Sequence, residues 1–337
     1  MTTIRDVARL AGVAPSTASM ALNDHPRIST ETKMKVLAAA RELNYQPNAM
    51  ARGLKSRRTE SVGLILTDIA GPFYSELIKG VEDVAIERGY QLVISSAHSG
   101  REESARRLLA ERRTDGLIVL APNLKDADLA AVASPEFPLV LLDRHLCAPG
   151  ISCIRVDNVA AASEAVSHLI NLGYRSILYV SGPQLSTDNQ ERLLGFRQAL
   201  ERAGLPFSPD LVVPGDFTEE GGRRAARWIL DRPTLPDAVF AANDEMAIGV
   251  MEVFLDRGIR IPEDVALVGF DDIRLAAYVR PALTTVRQFK YELGQRAATL
   301  LFAMLDGTSE ARAERISTEL VIRESCGYRL RHKTAPI

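Results

Sequence analysis

The stretch "AGVAPSTASMALND" at residues 11–24 joins the end of one predicted helix to the whole of the next. Before it, the apolar residues of "IRDVARLA" recur with the spacing of one helix face, at Ile4, Val7, Ala8 and Ala11. Gly12 then allows a turn, and Pro15 suits the first turn of a second helix, because the N–H that it lacks would be unpaired there. Two short helices with a tight turn are typical of a helix–turn–helix, whose second helix enters the major groove of DNA. A small helical bundle without a DNA function is the alternative.

A third helix is predicted in "STETKMKVLAAARELN", with Ser29 or Thr30 as its N-cap. Its predicted inward face comprises Val36, Leu37, Ala40 and Leu43. The predicted outward side of the second helix comprises Pro15, Ser16, Ser19 and Met20, and Thr17 lies within reach of a phosphate. These helices predict an all-α head over residues 1–46.

The charge of the chain is divided unevenly between this head and the rest. Residues 1–58 contain ten Lys/Arg and four Asp/Glu, a net charge of +6. Since the whole chain has a net charge of −2, the remainder must carry −8. A basic head on an acidic body is expected where only the head meets a polyanion. An ordinary solvated helical face is the alternative explanation.

From residue 61 onward, short apolar runs alternate with amphipathic helical stretches. The predicted strands are "VGLILTD", "QLVISS", "DGLIVLAP", "PLVLLDR", "SILYVSG", "DAVFAAND" and "VALVGFDD". Continuous apolar strands between helices indicate parallel sheets that are covered on both faces. The fold class is therefore α/β, with the all-α head preceding two doubly wound lobes. Polar residues follow several strands, and ligands of open α/β sheets bind beyond such strand ends, so facing lobes would enclose a ligand cleft.

Several classes of function are disfavoured by what the sequence lacks. No GxGxxG follows a strand, and neither GxxxxGK[ST] nor GxSxG occurs, so an enzyme is not expected. The three cysteines form no CxxC pair and the five histidines no HExxH motif. Free thiols are therefore expected rather than zinc or a disulfide, and no metal or cofactor is expected. No apolar run spans a membrane and the N-terminus lacks a secretory signal, so we expect a cytoplasmic, nucleoid-associated protein.

Three regions in the right order carry a resemblance to a known family. "TIRDVARLAGVAPSTASMALND", "ELNYQPNAMARGLKSRRTESVGLI", and the pair "GFDD" and "RPALTTV" resemble the lactose/purine-repressor family of bacterial transcription regulators. The resemblance runs from Thr3 to about Arg329. It implies a periplasmic-binding-protein-like core and a homodimer that binds pseudo-palindromic operator DNA. The implied divisions are the head at 1–46, a hinge at 47–60, an N-lobe at 61–157 and 287–318, a C-lobe at 158–286 and 319–330, and a tail at 331–337.

The resemblance also implies which residues meet DNA. Pro15, Ser16 and Met20 match positions that contact bases in the major groove, while Thr17 and Asn23 match positions that face phosphates. In "NAMARGLK", which resembles a hinge helix, Leu54 matches an apolar wedge in the minor groove and Lys55 follows it. Such a wedge bends the duplex, so part of the specificity becomes deformability. Many relatives have Ser at position 14 and Arg or His at position 20, where this chain has Ala14 and Met20.

The effector residues implied by the resemblance lie at the predicted strand ends and cleft helices. They are Phe73, Asp143, Arg192, Phe217, Asn243 and Asp271. Their chemistry suits a hydroxylated ligand, because aromatic faces stack on a sugar or base while carboxylate, amide and guanidinium groups bind hydroxyls. For five of them there is a structural alternative: helix N-caps for Asp143 and Asp271, a surface charge for Arg192, and plain core for Phe73 and Phe217.

The resulting hypothesis is a repressor whose operator affinity is controlled by a small hydroxylated effector, for which a sugar is favoured. Ser186 replaces a residue that is charged in some purine-sensing relatives, which weakens the alternative of a nucleobase corepressor. A periplasmic sugar-binding protein shares the two-lobed architecture, but it would need a signal peptide and would have no use for residues 1–58.

Overall fold

The structure, a computed structural model, describes residues 2–45, 58–97, 100 and 102–331. It forms two compact units, Met1–Thr59 and Glu60–Ile337. The predicted hinge residues Leu54 and Lys55 lie outside the described residues, as do residues 332–337 of the predicted tail. Among the residues that are described, no helix has both the length and the apolar character to cross a membrane.

The head consists of three short helices around a small apolar core. They are α1 (Ile4–Leu10), α2 (Pro15–Leu22) and α3 (Thr30–Glu42). Thr3 is the N-cap of α1, and the Asp6 carboxylate accepts hydrogen bonds from the Thr3 backbone N–H over 3.0 Å and from the Thr3 hydroxyl over 2.7 Å. Gly12 has a φ of +68° in the turn between α1 and α2, a conformation that glycine adopts without steric cost. The buried core comprises Val7, Ala8, Ala18, Ala21, Val36, Ala39 and Ala40.

The inward face predicted for α3 is wrong at one position. Leu37 is 43% exposed, whereas Ala39 is buried in its place. The core is lined mainly by alanines, which lets the three helices approach closely. The larger Leu37 side chain therefore points to the surface of this unit.

The N-lobe is a six-stranded parallel sheet, in the order β11-β5-β4-β3-β1-β2, with helices on its faces. Its elements are β1 (Ser61–Leu66), α4 (Pro72–Glu87), β2 (Gln91–Ser96), α5 (Glu103–Ala110), β3 (Leu117–Leu120), α6 (Asp126–Val132), β4 (Leu139–Leu142), β5 (Ile151–Val156), α11 (Lys290–Leu305) and β11 (Ala313–Ile316). Three of the six strands, β1, β3 and β4, are buried on both faces, as their continuous apolar runs predict, and β5 is buried except at Arg155.

The C-lobe is a four-stranded parallel sheet, in the order β7-β6-β8-β9, with an antiparallel pair of strands, β10 and β12, packed nearby. Its elements are α7 (Asn158–Asn171), β6 (Ile177–Ser181), α8 (Thr187–Arg202), β7 (Val212–Pro214), α9 (Glu219–Leu230), β8 (Ala238–Ala241), α10 (Asp244–Asp256), β9 (Ala266–Val268), β10 (Thr285–Gln288), β12 (Thr318–Val321) and α12 (Tyr328–Arg331). The described chain passes between the lobes at Asp157, at Phe289 and at Ser317. The carboxyl ends of the strands of both sheets therefore border the region between the lobes, which is where ligands of such sheets bind.

Strand β5 and the cysteine pairing depart from the sequence-based expectations. Parallel neighbours usually need a crossover of about a dozen residues or more, yet only residues 143–150 join β4 to β5. Cys147 in this loop is joined by a disulfide to Cys153 on β5. The expectation of free thiols is therefore wrong for this pair, because the short loop returns the chain to the adjacent strand and brings the two sulfurs together. Cys326 is free and buried.

Candidate functional site

Arg192 is a buried charge at the centre of the C-lobe side of the cleft. Ser186 caps the N-terminus of α8, and Arg192 follows near the helix start with a relative exposure of 4%. Its Nε donates to Asn158 Oδ1 over 2.9 Å, and its Nη1 donates to the carbonyl of Ala242 over 2.6 Å. The guanidinium carbon lies 3.8 Å from the centroid of the Phe270 ring. These contacts exclude the alternative that Arg192 is an ordinary surface charge.

Asp271 lies beside Arg192 in a strained turn. Its φ of +118° is a backbone conformation that residues other than glycine rarely adopt. Such backbone strain concentrates at functional sites. The Asp271 carboxylate accepts a hydrogen bond from Gln288 Nε2 over 2.6 Å and lies 3.7 Å from Arg192 Nη1. Desolvation raises the pKa of Asp271 to about 6, although Arg192 and Lys290 act to lower it. No α-helix or 3-10 helix begins at Asp271, so it is not an N-cap.

The turn that carries Asp271 is held by charged neighbours on both sides. Asp272 is paired with Arg323 at 2.6 Å and with Arg287 at 2.7 Å. The buried Lys290 donates from Nζ to the carbonyl of Asp271 over 2.7 Å and to that of Asp272 over 3.0 Å. The strained backbone is therefore fixed by the surrounding structure.

Asp143 and Asp188 place two further carboxylates at the cleft, one from each lobe. Asp143 follows β4 with a φ of +53°, and the connection after it contains no helix that it could cap. Desolvation raises the pKa of Asp143 well above its ordinary value, and the negative charge of Asp188 raises it further. Desolvation likewise raises the pKa of Asp188, whereas the Arg192 guanidinium lowers it. Asp143 and Asp188 therefore belong to different lobes and interact electrostatically.

The loop that begins with Asp143 is anchored by its neighbour Arg144. Arg144 Nη2 donates to the carbonyls of Ala121 and Leu124, over 2.5 Å and 2.6 Å. Arg144 also pairs with Asp126 at the start of α6. The position of Asp143 is therefore set by the segment that follows β3.

Phe217 and Asn243 form a second contact pair in the C-lobe. The Phe217 centroid lies 5.9 Å from the guanidinium carbon of Arg192. A Cβ on Gly182 would lie 2.4 Å from the Phe217 ring, so glycine is required there for the ring to pack. Asn243 caps α10 by accepting from Met246 N over 3.0 Å, and its Nδ2 donates to the Phe217 carbonyl over 2.9 Å. Asn243 therefore supports Phe217, and its amide has a second N–H besides the one that these contacts use.

Phe73 and Tyr74 lie in the first turn of α4, in the N-lobe. Their rings meet edge to face with 5.4 Å between centroids, and both pack against the N-lobe core. Desolvation raises the pKa of Tyr74, and Asp188 and Asp271 raise it further. A Cβ on Gly71, the residue before α4, would lie 3.3 Å from Glu245 Oε1. The start of α4 therefore faces the C-lobe.

Sequence analysis did not identify Asp188, Asn158, Tyr74 or Glu245 as site residues. Asp188 precedes Arg192 by four residues, which places both on one face of α8, and this spacing was the available indication. Desolvation raises the pKa of Glu245 to about 7, and Asp271 raises it further. No local pattern identifies Asn158, because its role depends on the packing of α7 against α8.

In the head, the residues that the sequence assigns to DNA lie on and just after α2. Pro15, Ser16 and Asn23 are exposed, whereas Thr17 and Met20 are half-buried. Asn23 ends α2, and its Nδ2 donates to the Ser19 carbonyl over 2.8 Å. Ala14 occupies the N-cap position of α2 and has no side chain that can cap the helix.

Comparisons with known families match both units. The model described as "Bacterial regulatory proteins, lacI family" matches residues 3–48, and the model described as "Periplasmic binding protein-like domain" matches residues 166–326. The chain is 36% identical to the HTH-type transcriptional repressor PurR of Pasteurella multocida (strain Pm70), over 98% of this chain and 100% of that protein. It is 38% identical to the ribose operon repressor of Escherichia coli (strain K12), over 89% of this chain and 92% of that protein.

Solved structures of regulators are similar over 79–96% of the chain. The complex of the transcriptional regulator CelR with cellobiose has a TM-score of 0.72 and 36% identity, and covers 96% of this chain and 100% of that one. The lac repressor dimer bound to operator and the anti-inducer ONPF has a TM-score of 0.84 and 28% identity, with coverages of 96% and 99%. A LacI family regulator from Enterococcus faecium with bound ribose has a TM-score of 0.72 and 28% identity, with coverages of 79% and 98%.

The helix–turn–helix head and the two-lobed core define a DNA-binding transcriptional regulator with a ligand-binding domain. The chain belongs to the lacI family of bacterial regulatory proteins. The predicted fold class and family resemblance are thereby confirmed, and the relatives are repressors rather than enzymes.

Proposed function

We propose that this regulator is a homodimeric repressor, and that an uncharged, hydroxylated small molecule such as a sugar binds between its lobes and changes its affinity for a pseudo-palindromic operator. The observation that carries the proposal is the position of Arg192 and Asp271 at the cleft, 3.7 Å apart and almost completely buried. Buried charges of this kind, next to aromatic rings, suit hydrogen bonding to several hydroxyls at once.

On the DNA side, we propose that α2 enters the major groove with Pro15, Ser16 and Met20 toward the bases. Thr17 and Asn23 would contact phosphates, while Leu54 and Lys55 would engage the minor groove. Because a thioether cannot donate a hydrogen bond to guanine, Met20 would make an apolar contact, such as that with a thymine methyl group. Two-fold symmetry of the dimer would match the symmetry of the operator.

The charge of the cleft narrows the effector class. Three carboxyl groups, those of Asp143, Asp188 and Asp271, accompany the Arg192 guanidinium. A phosphorylated or carboxylated ligand is disfavoured because it would bind among these carboxyl groups, whereas hydroxyl groups can form hydrogen bonds with each of them. The relatives solved with cellobiose and ribose support a sugar of this kind.

The similarity to PurR makes a nucleobase the second candidate. Ser186 is buried, and its hydroxyl caps α8 by accepting from Asn189 N over 3.3 Å. This position therefore offers no charge to a base, which favours the sugar.

We further propose that the effector binds two lobe arrangements with different affinities and thereby shifts the hinge segments of the dimer. Such coupling has a typical scale of about 1–3 kcal/mol, or ~5- to 150-fold in operator affinity. Induction is proposed for a sugar, and corepression is the alternative. The site of action would be the cytoplasm, at the nucleoid.

A thermal-shift screen with matched ligands tests the effector class. Ribose and cellobiose are compared with ribose 5-phosphate and hypoxanthine, because a specific ligand raises the melting temperature by mass action. A shift with an uncharged sugar and none with ribose 5-phosphate is expected. A shift with ribose 5-phosphate alone would contradict the assigned charge preference, and a shift with hypoxanthine alone would favour the nucleobase.

Variants separate the two units. An operator is first selected from randomised DNA with the full chain. Deletion of residues 1–59 should abolish operator binding and retain the ligand-induced shift. Asp271→Ala should weaken the ligand response but not operator affinity, with the exposed Asp231→Ala as its matched control.

Leu54→Ala should weaken binding to the specific operator much more than binding to random DNA. Equal losses would contradict the proposal that Leu54 acts as a wedge in the minor groove.

A further inference from the structure

A histidine and a glutamate form a direct contact between the two lobes. His145 lies in the loop after β4, in the N-lobe, and Glu191 lies on α8, in the C-lobe. His145 Nε2 is 2.8 Å from Glu191 Oε1. Since each side chain belongs to a different lobe, the contact depends on how the lobes are arranged.

The neighbours of His145 determine the direction of this hydrogen bond. Arg155, on β5 of the same lobe, places its Nη1 2.6 Å from His145 Nδ1 and 3.1 Å from His145 Nε2. A guanidinium can only donate, so the nearer nitrogen Nδ1 accepts and Nε2 carries a hydrogen. His145 therefore donates to Glu191.

The other oxygen of Glu191 leads to the effector site. Glu191 Oε2 accepts from Asn158 Nδ2 over 3.2 Å, and Asn158 Oδ1 accepts from Arg192 Nε over 2.9 Å. Arg192 in turn lies 3.7 Å from Asp271. A continuous set of polar contacts thus runs from the N-lobe loop to the charged pair of the C-lobe.

We propose that His145 and Glu191 form a latch that stabilises this arrangement of the lobes, and that Asn158 couples the latch to Arg192. Both latch residues are positioning residues, since they act on the lobes and on Arg192. The part of the inference that concerns the effector rests on the proposed function of the cleft.

The latch and an effector are expected to stabilise the same arrangement. The same arrangement brings the start of α4 close to the C-lobe, since a Cβ on Gly71 would lie 3.3 Å from Glu245 Oε1, so a ligand there can contact both lobes. The free energy that the latch contributes is modest, because the His145 side chain is 59% exposed and the Glu191 side chain is 20% exposed. Its loss should change the ratio of the two lobe arrangements by about two- to fivefold.

The first experiment measures the lobes without any ligand. Spin labels on unnatural amino acids at the exposed positions 110 and 256, one in each lobe, report an interlobe distance by pulsed electron paramagnetic resonance. Labelled full-length protein is mixed with excess unlabelled protein, so that the distances arise within one chain. His145→Ala and Glu191→Ala should each shift the distance distribution by a similar amount, and the double variant should shift it no further. An unchanged distribution, or additive effects of the two substitutions, would overturn the latch.

Two further variants distinguish a latch from a general structural role. His145→Gln keeps a donor near the position of Nε2, and it should restore most of the wild-type distribution. Glu201→Ala removes an exposed carboxylate on the same helix whose partner, Arg197, is also on that helix, and it should have no effect. Failure of the glutamine variant to restore the distribution would contradict a donated hydrogen bond.

A second experiment measures the affinity of the same variants for ribose and cellobiose by calorimetric titration. The alanine variants should bind the sugar that the wild type binds about two- to fivefold more weakly, with recovery in His145→Gln. Unchanged affinity alongside an altered distance distribution would overturn the coupling through Asn158. If the wild type binds neither sugar, the proposed effector class fails, whereas the distance measurements still decide the latch.

Discussion

Arg192 stacks its guanidinium on the ring of Phe270, with 3.8 Å between the guanidinium carbon and the ring centroid. A planar, weakly hydrated cation can be buried against an aromatic face at a lower cost than an ammonium group. The stacking leaves the edge of the guanidinium free to donate to Asn158 and Ala242. One buried charge is thereby held rigidly beside Asp271, and the predictions for the cleft follow from this arrangement.

Arg192→Ala is expected to lower the free energy of unfolding of the core by about 3–5 kcal/mol, because it leaves the buried Asp271 without its nearest cation. Urea unfolding measures this change. Arg197→Ala, on the same helix but in an exposed pair with Glu201, should cost less than about 1 kcal/mol. Adding Asp271→Asn should recover part of the loss caused by Arg192→Ala, and the absence of any recovery would show that the two charges are not coupled.

The neighbours Asp271 and Asp272 should respond to pH in opposite directions. Desolvation raises the pKa of Asp271 from 3.8 to about 6, so folding favours its protonated form. The stability associated with that form is present below about pH 4 and is lost as the pH rises through about 6. Relative to the wild type, Asp271→Asn should therefore gain up to about 3 kcal/mol between pH 4 and pH 8 in urea unfolding.

Asp272 supplies the matched control for this prediction. Desolvation acts to raise the pKa of Asp272, but hydrogen bonds from Arg323 and Arg287 outweigh it and lower the pKa. Its contribution is therefore present above about pH 4 and is lost as the pH falls through the lowered pKa. Asp272→Asn should be destabilised at neutral pH, with a deficit that shrinks in acid. Parallel pH profiles for the two variants would contradict the assigned shifts.

Met20→Arg is expected to change the base preferred at one position of each operator half-site. Arginine can donate two hydrogen bonds to guanine, whereas methionine makes only apolar contact. Selection from randomised DNA measures the preference. Met34→Arg makes the same substitution at a 66% exposed position of α3 and should leave the preference unchanged. If both variants retain the wild-type preference, Met20 does not contact the bases.

Ala14→Ser is expected to stabilise the recognition helix α2. Ala14 already has the extended conformation of an N-cap, with φ of −67° and ψ of 149°, but no side-chain oxygen. A serine there should contribute about 0.5–2 kcal/mol by accepting from a free N–H of the first turn. Hydrogen exchange of the α2 amides measures the change, and Ala38→Ser at an exposed position within α3 should not increase their protection. Equal protection in the two variants would show that residue 14 does not act as a cap.

Local patterns in the sequence were sufficient to predict the fold class and most of the helices and strands. The turn at Gly12, Pro15 at the start of α2 and the apolar runs from residue 61 depend on backbone geometry and periodicity, which act over a few residues. The strand at Ile151–Val156 was not predicted, because a connection of eight residues without a helix is unusual between parallel neighbours.

The candidate site residues divide in the same way. The family resemblance was enough to select Arg192 and Asp271 as candidates, because both match effector positions of that family. Only the tertiary structure determined that Asn158 and Glu191 link Arg192 to His145, that Asn243 supports Phe217, and that Asp188 raises the pKa of Asp143. Their roles arise from contacts between lobes and between helices far apart in the chain, and the free energy of such a contact depends on where packing places both partners. The sequence by itself thus determined what kind of protein this is, and the packing of the two lobes decided which charged side chains act together.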